Sequence, residues 1–428
     1  MSDALGGQVT SAGHDRRLAR PLGIFAPWRL CVYGGILAAL YGIMLLGFYR
    51  AGIWLENRNG LPLYSDFVLP WLAAVQALHG ELAAIYDPAQ FLKLQEALVG
   101  PRDLIYPNWP YPPTFLFYLL PFALLPYVYA FLVWDATTLL GCAAVVYLIV
   151  PRFSAVVLVF ASPLTAWVLL AGQNGLLWAS LLGASLYFLE RRPMLAGFFI
   201  GSLTLKPQFG ILVPVALLAS NQWSAFATAA VTAGTLAGMS VAAFGADAWA
   251  EFPRQLMAQA SPHMQAVPDN APIFAWGHVQ TVYGLMRSVE FAAPLAWVVH
   301  IVTAVGVAVI VWFVWRSPIR FALKAATLSV AVLIATPYAF ATDMAAIVIP
   351  FAFLVTDQIE WGLLRGEQTI MIVLFVISLV MLVTLGGTPL GPIMTIVLLG
   401  VILRRAIRLG IGSGGRRAAR CTSCANPG

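Results

Sequence analysis

The chain is poor in charge. Only 10% of its 428 residues are Asp, Glu, Lys or Arg, against about a quarter in an ordinary soluble domain, which excludes a water-soluble globule of usual make-up. Histidine is scarce, with five residues, and no His-Glu-x-x-His or similar ligand cluster occurs, which argues against metal-dependent hydrolysis. Cysteine is scarcer still. Cys31 and Cys142 lie in apolar segments, while Cys421 and Cys424 form a lone Cys-x-x-Cys, so neither a disulfide framework nor a four-ligand zinc site is expected. No Gly-rich phosphate loop ends in Lys-Ser or Lys-Thr, which argues against an ATP-driven pump. No period of roughly twenty to fifty residues recurs, so no solenoid is expected.

What is present is apolar surface. Hydrophobic residues make up 61% of the chain, with 14 Trp and a mean hydropathy of +0.84. The fold class is therefore an all-α polytopic integral membrane protein, with room for about twelve crossings of roughly twenty residues each. The excess of 24 Lys and Arg over 18 Asp and Glu would suggest nucleic acid in a soluble protein. Here it is explained by basic residues gathering at cytoplasmic helix ends, and no nucleic-acid partner is expected. Arg16, Arg17, Arg20 and Arg29 precede the first apolar helix at about residues 30–49, and Arg404, Arg405, Arg408, Arg416, Arg417 and Arg420 follow the last. Both termini are thus expected in the cytoplasm: 1–29 as a short segment, 30–408 as the membrane domain, and 409–428 as a disordered basic tail. The first helix has no small-residue cleavage site and is long enough to span, which makes it an anchor.

Two stretches interrupt the apolar chain, 50–112 and 246–290, and both are expected on the outer side. Arg152, Glu190-Arg191-Arg192, Asn221-Gln222 and the stretches 316–324 and 360–367 mark inner turns. This places residues 172–175, 206–208, 338–343 and 386–391 outside, together with Asp66. Residues 114–125 are too few to cross and contain Pro121, so 114–150 reads as one net crossing after a partial helix. The segment around Lys206 reads as a broken helix. Within the first loop, 67–80 and 88–99 have apolar residues at helical spacing and read as amphipathic helices at the membrane surface. Trp54, Trp71, Trp109, Tyr106 and Tyr111 suit the interfacial level. The other Trp and Phe residues are expected mostly to face lipid.

In this setting a few residues stand out in a fixed order. They are Asp66, then Tyr111-Pro112-Pro113, Ser162-Pro163 with Gly172-Gln173-Asn174-Gly175, and Leu205-Lys206-Pro207-Gln208. The order resembles glycosyltransferase family 87 from about residue 30 to 400. That resemblance implies the GT-C fold and a polyprenyl-phosphate-sugar-dependent activity, as in the mannosyltransferases of phosphatidylinositol mannoside synthesis. It implies that Asp66 is the catalytic base, that Gln173 and Asn174 form the Gly-Gln-x-Asn-type element, here in the order Gly-Gln-Asn-Gly, and that Lys206 belongs to the Leu-Lys-Pro element. Family members often carry a His after the later Ser or Thr-Pro; here Thr336-Pro337 leads to Asp343 with no His between. The implied partners are a polyprenyl-phosphate sugar donor, a glycolipid or glycan acceptor, and membrane lipids. The implied location is the inner membrane of a bacterium, with the site facing the periplasm or exterior.

The chemistry asks for these residue types independently. Glycosyl transfer needs a carboxylate that takes the proton of the attacking hydroxyl, which Asp66 can supply, although a Ser-Asp pair before a helix is also an N-cap. The departing phosphate needs a cation. Lys206, costly at membrane depth, is the first candidate, with an ion pair or snorkelling as its structural alternatives. Gln173, Asn174, Gln208, Tyr111 and Tyr338 can contact substrate, and Asp343 can position substrate, pair with Lys206 or cap a helix. From the second loop, His278 and Arg287 are candidate phosphate or sugar contacts, as are Arg254 and His263, each with a solvated loop role as its alternative. Asp135 is read as structural. A secondary transporter or flippase is the competing function, since broken helices with buried charge also mark carrier sites; a scaffold without chemistry leaves Asp66 and Lys206 unexplained.

Overall fold

A computed structural model describes residues 18–19, 26–101, 109–264, 278–384 and 387–409, without the side chains of 18–19 and 258–264. Arg16, Arg17, Arg20, Tyr106, His263, Gly386 and the basic tail with Cys421 and Cys424 lie outside these residues or side chains. The first helix, α1 (Pro27–Ala51), starts on a Pro and stops at Gly52 in the left-handed region, the usual helix terminator. The first loop holds α2 (Val68–His79), α3 (Ala83–Tyr86) and α4 (Pro88–Val99). Asp87 caps α4 by accepting the amides of Ala89 and Gln90. A 3-10 turn (Pro113–Phe115) leads into the short α5 (Leu116–Ala123), and then the long α6 (Tyr127–Ile149) follows.

Next come α7 (Phe153–Phe160) and α8 (Pro163–Ala171), bent by 52° at Ser162-Pro163, and α9 (Gly175–Leu189). The chain continues as α10 (Pro193–Ser202), two 3-10 turns flanking Lys206, α11 (Val213–Ala219), α12 (Trp223–Phe244) and α13 (Ala246–Met264). The last part is α14 (Val282–Ser288), α15 (Ala293–Arg316), α16 (Phe321–Ala335), a 3-10 turn (Asp343–Ile347), α17 (Val348–Trp361), α18 (Glu367–Val383) and α19 (Gly391–Leu409). The described strands are β1 (Leu18–Ala19) and β2 (Leu363–Leu364), paired antiparallel.

Among the described residues, five helical segments are long and apolar enough to cross a bilayer, and six if the bent α7–α8 pair is one span. The chain is a multi-pass membrane protein. Seven further apolar helical segments among the described residues run only 10–17 residues. Proline and glycine divide what the sequence presents as continuous apolar stretches, so length alone does not yield the expected twelve. The stretch 114–150 folds as expected, a short helix followed by one full-length span.

The first loop folds back onto the bundle. The face of α2 carrying Leu69, Leu72 and Ala73 is buried, and α2 packs on α5. The indole N–H groups of Trp54 and Trp71 donate to the carbonyls of Leu170 (3.0 Å) and Leu125 (3.2 Å). Ser65 and Tyr127 share a hydroxyl hydrogen bond of 2.7 Å. The second loop is tied down too, since Gln255 of α13 donates to the Tyr86 carbonyl at 2.8 Å. Trp109, Trp134, Trp178, Phe67, Phe115, Phe131 and Phe209 are buried inside the protein, whereas Trp28, Trp223, Phe153, Phe198 and Phe313 are exposed. The buried rings pack on one another: Phe67 meets Tyr127, Phe131 and Trp134, and Trp178 stacks on Phe209 with centroids 4.0 Å apart.

Candidate active site

A cavity of about 360 Å³ lies where the two loops meet the broken helices. Its wall takes Asp66 from the first loop, Tyr111 from the approach to α5, Gln173 from the α8–α9 turn, and Lys206 and Gln208 from the broken α10–α11 segment. Phe252 and Leu256 of α13, His278, Tyr338 and Asp343 complete it. The fold thus brings together Asp66, Tyr111, Gln173, Lys206, Gln208, His278, Tyr338 and Asp343.

The Asp66 carboxylate is directed at another segment, not at its own helix. Ser65 Oγ accepts the Phe67 amide at 3.2 Å, so the local turn is held by the serine. Asp66 Oδ2 instead accepts from Gln173 Nε2 at 3.0 Å. Burial pushes the carboxyl above its ordinary value of 3.8, and the Gln173 bond and the positive charges of His278 and Lys206 pull it back. The result is a carboxylate that binds a proton more readily than a free aspartate does.

The Gly-Gln-Asn-Gly turn sets this geometry by close approach. Gly172 ends α8 with φ +71, and a Cβ there would lie 2.5 Å from the Phe131 ring and 2.7 Å from Phe67. A Cβ on Gly175 would lie 2.3 Å from the Thr342 carbonyl oxygen. The turn is therefore clamped between the Asp66 segment and the Asp343 segment, which is why both ends are glycine. Gln173 is consequently held beside Asp66. Asn174 sits behind the wall, 4% exposed, with its side chain near the Tyr111 hydroxyl. Its Oδ1 has no hydrogen-bond partner among the described residues.

On the opposite wall Lys206 donates to Asp343 Oδ1 at 2.6 Å, with both side chains under 10% exposed. Asp343 also accepts the Trp178 indole N–H at 3.1 Å and the Phe340 amide at 3.0 Å. These bonds fix the carboxylate and hold the ammonium at the wall. The Lys206 ammonium lies 5.9 Å from the Tyr111 ring centre and 5.7 Å from that of Phe209, close enough for cation–π attraction. One of its three N–H donors serves Asp343, which leaves donor capacity for an anion. Trp178 was not a sequence candidate. Its partner is 165 residues away, and one Trp among fourteen carries no local signal.

The remaining candidates lie elsewhere. Arg287 is 3% exposed and donates to the Phe291 carbonyl at 2.8 Å, outside the cavity wall. Arg254 pairs with Glu251 of its own helix at 2.6 Å and is exposed. Asp135 is buried on α6, and its Oδ1 lacks a partner among the described residues. Val279 bridges to Phe340, and Gln280 links the Ala339 carbonyl to the Thr388 carbonyl and the Gly391 amide. These links hold His278 at the cavity although its loop is remote in sequence.

The sequence model of glycosyltransferase family 87 matches residues 109–337, just over half of the chain. The matched span holds Tyr111, Gln173, Asn174, Lys206, Gln208, His278 and Arg287; Asp66 precedes it, and Tyr338 and Asp343 follow. No curated protein and no solved structure matches the chain.

Proposed function

The chain belongs to glycosyltransferase family 87 and is a membrane glycosyltransferase, and from this we propose that it moves a hexose, with mannose the leading choice, from a polyprenyl monophosphate to a hydroxyl of a glycolipid or glycan. The observation that carries this reading is one cavity lined by a carboxylate, Asp66, and a cation, Lys206, on different segments. The acceptor hydroxyl gives its proton to Asp66 while its oxygen bonds to the anomeric carbon. The bond from that carbon to the phosphate oxygen breaks, its electron pair leaves with the phosphate, and Lys206 stabilises the charge that builds there. A β-linked donor would give an α-linked product by this direct displacement. Gln173 orients Asp66, while Gln208, Tyr111, Tyr338 and His278 face the sugar and phosphate. The membrane domain spans 30–408, with loops 50–112 and 246–290 at the site end. The arginine-rich helix ends favour a cytoplasmic position for the opposite end, so the site faces the periplasm or exterior of a bacterial inner membrane.

The test is transfer of radiolabelled sugar from a panel of polyprenyl-phosphate sugars, in membranes carrying wild type or Asp66→Asn. Label entering lipid or glycan with wild type and vanishing with a correctly inserted variant supports the reading. Equal label from both proteins removes Asp66 as base, and label from nucleotide sugars alone removes the lipid carrier.

A further inference from the structure

A second and larger cavity, about 770 Å³, starts at the arginine-rich end of the bundle, by Arg152 and Gly362, and extends along it as far as Leu164 and Ile347. Its walls are α1, α7, α17 and α18. The first three elements point their other ends toward the site: α1 leads into the first loop, α7 continues as α8 to Gln173, and α17 follows Asp343. The lining is mostly apolar, with Leu37, Leu158, Phe351 and Phe375 along its length. Arg152 is the only charged side chain among the described lining residues.

Two features bear on what fills this space. Helix α1 packs chiefly on α7, and of its residues only Gly34 and Tyr41 are buried, so the cavity is the gap between α1 and the α17–α18 wall. A bilayer-embedded gap of that kind is filled by hydrocarbon, because an apolar void forfeits dispersion contacts on every wall. The second feature is the unbalanced charge. Arg152 is exposed at the start of α7, which has no side-chain cap, and no carboxylate pairs with it among the described residues. Of the carboxylates at this end, Asp357 binds Arg320 and Arg405 and Glu367 binds Arg405, while the exposed Glu360 makes no ion pair with Arg152 among the described residues. A hydrocarbon slot with an unpaired arginine at its polar end matches the chemistry of one lipid chain joined to an anionic phosphate. Basic pockets between membrane helices bind such headgroups.

We propose that this cavity binds an anionic glycerophospholipid of the surrounding bilayer, one acyl chain between α1 and α17–α18 and the phosphate on Arg152. The lipid is a structural ligand that braces α1, separate from the sugar donor at the other end. This is independent of which sugar the enzyme transfers.

The experiment is native mass spectrometry of the full chain, delipidated in detergent and exposed to equal amounts of phosphatidylglycerol and phosphatidylcholine. Wild type is expected to retain phosphatidylglycerol preferentially. Arg152→Gln should cut that preference about tenfold, the worth of one charge-assisted contact. Ala155→Trp, which places an indole in the cavity, should lower retention of both lipids. Either variant holding phosphatidylglycerol as wild type does would overturn the site and leave ordinary boundary lipid. Equal retention of the two lipids by wild type would overturn the role of the charge. Failure of Ala155→Trp to fold still leaves Arg152→Gln decisive.

Discussion

Two groups of buried charge sit at opposite ends of this protein, and they differ in what remains unsatisfied. At the arginine-rich end, Arg405 is fully buried between Asp357 and Glu367. Arg320 forks onto the same Asp357, with Nη2 to Oδ2 at 2.9 Å. Arg405 Nη2 further donates to the carbonyls of Asp357 and Gly362, and Glu367 accepts from Gln358 and the Leu364 amide. Two cations meet two anions, backbone groups take the remaining donors, and none of the four charged groups lines either cavity. At the site end, Lys206 and Asp343 also pair, but in the wall of a cavity that holds a third charge, Asp66. Intramembrane charge is a functional hypothesis by default. The contrast refines that default: a closed network locks helix ends together, whereas a pair facing a cavity can be completed by a ligand.

The largest effect should separate chemistry from folding. Asp66→Asn is expected to lower sugar transfer by about 10²–10⁴-fold, the usual worth of a general base, while the thermal unfolding midpoint in detergent stays near wild type. The carboxylate caps no helix, so asparagine removes the base and little else. The mirror experiment is Arg405→Ala. Removing Arg405 leaves the buried Glu367 without its cation and Asp357 with Arg320 alone, a loss of about 3–5 kcal/mol. Chemical unfolding should show that loss, and transfer per folded molecule should remain near wild type. If Arg405→Ala instead abolished transfer at full stability, the two ends would not be as separate as described.

A narrower test bears on the site pair itself. Lys206→Met should destabilise the fold, because Asp343 is left buried with only the Trp178 and Phe340 donors, and should also raise KM for the donor. The double variant Lys206→Met with Asp343→Leu removes both charges and should recover much of the stability, as replacement of buried pairs by apolar groups often does. Transfer should not recover. Recovery of both would reduce Lys206 to a structural ion and move phosphate binding to His278.

The sequence made these ends legible to different degrees, for physical reasons. Asp66, Gln173, Lys206 and Asp343 stand out because polar groups are rare in a chain with so little charge, and their order suffices to suggest one face. The arginines and acids of the closed network are equally visible as turn charges. That they form one cluster is not visible, since Arg405 reaches across 48 residues to Asp357 and 38 to Glu367. Trp178 is invisible for the same reason. Arg287 illustrates the reverse: its loop position suggests a site contact, whereas its burial and its bond to the Phe291 carbonyl place it in a local turn. Element boundaries in the first loop are recovered well because Gly80 and Asp87 punctuate them, while crossings are harder to count where Pro and Gly cut apolar runs into 10–17-residue pieces.

The smallest effect concerns how the site tunes Asp66, the proposed base. Burial raises the proton affinity of Asp66, and the Gln173 amide opposes that rise by donating to the charged form. The base works only when ionised, so transfer falls as pH drops through its pKa, and the acid limb should lie above the range of a free aspartate. Gln173→Leu removes a donor that favours the anion, so the limb should move to higher pH, while the rate on the plateau changes less than it does for Asp66→Asn. A role confined to holding the turn would predict a different outcome, a lower plateau with the limb in place. A limb that moved to lower pH would contradict the hydrogen bond as the tuning element, because loss of a donor to a carboxylate cannot stabilise its charge.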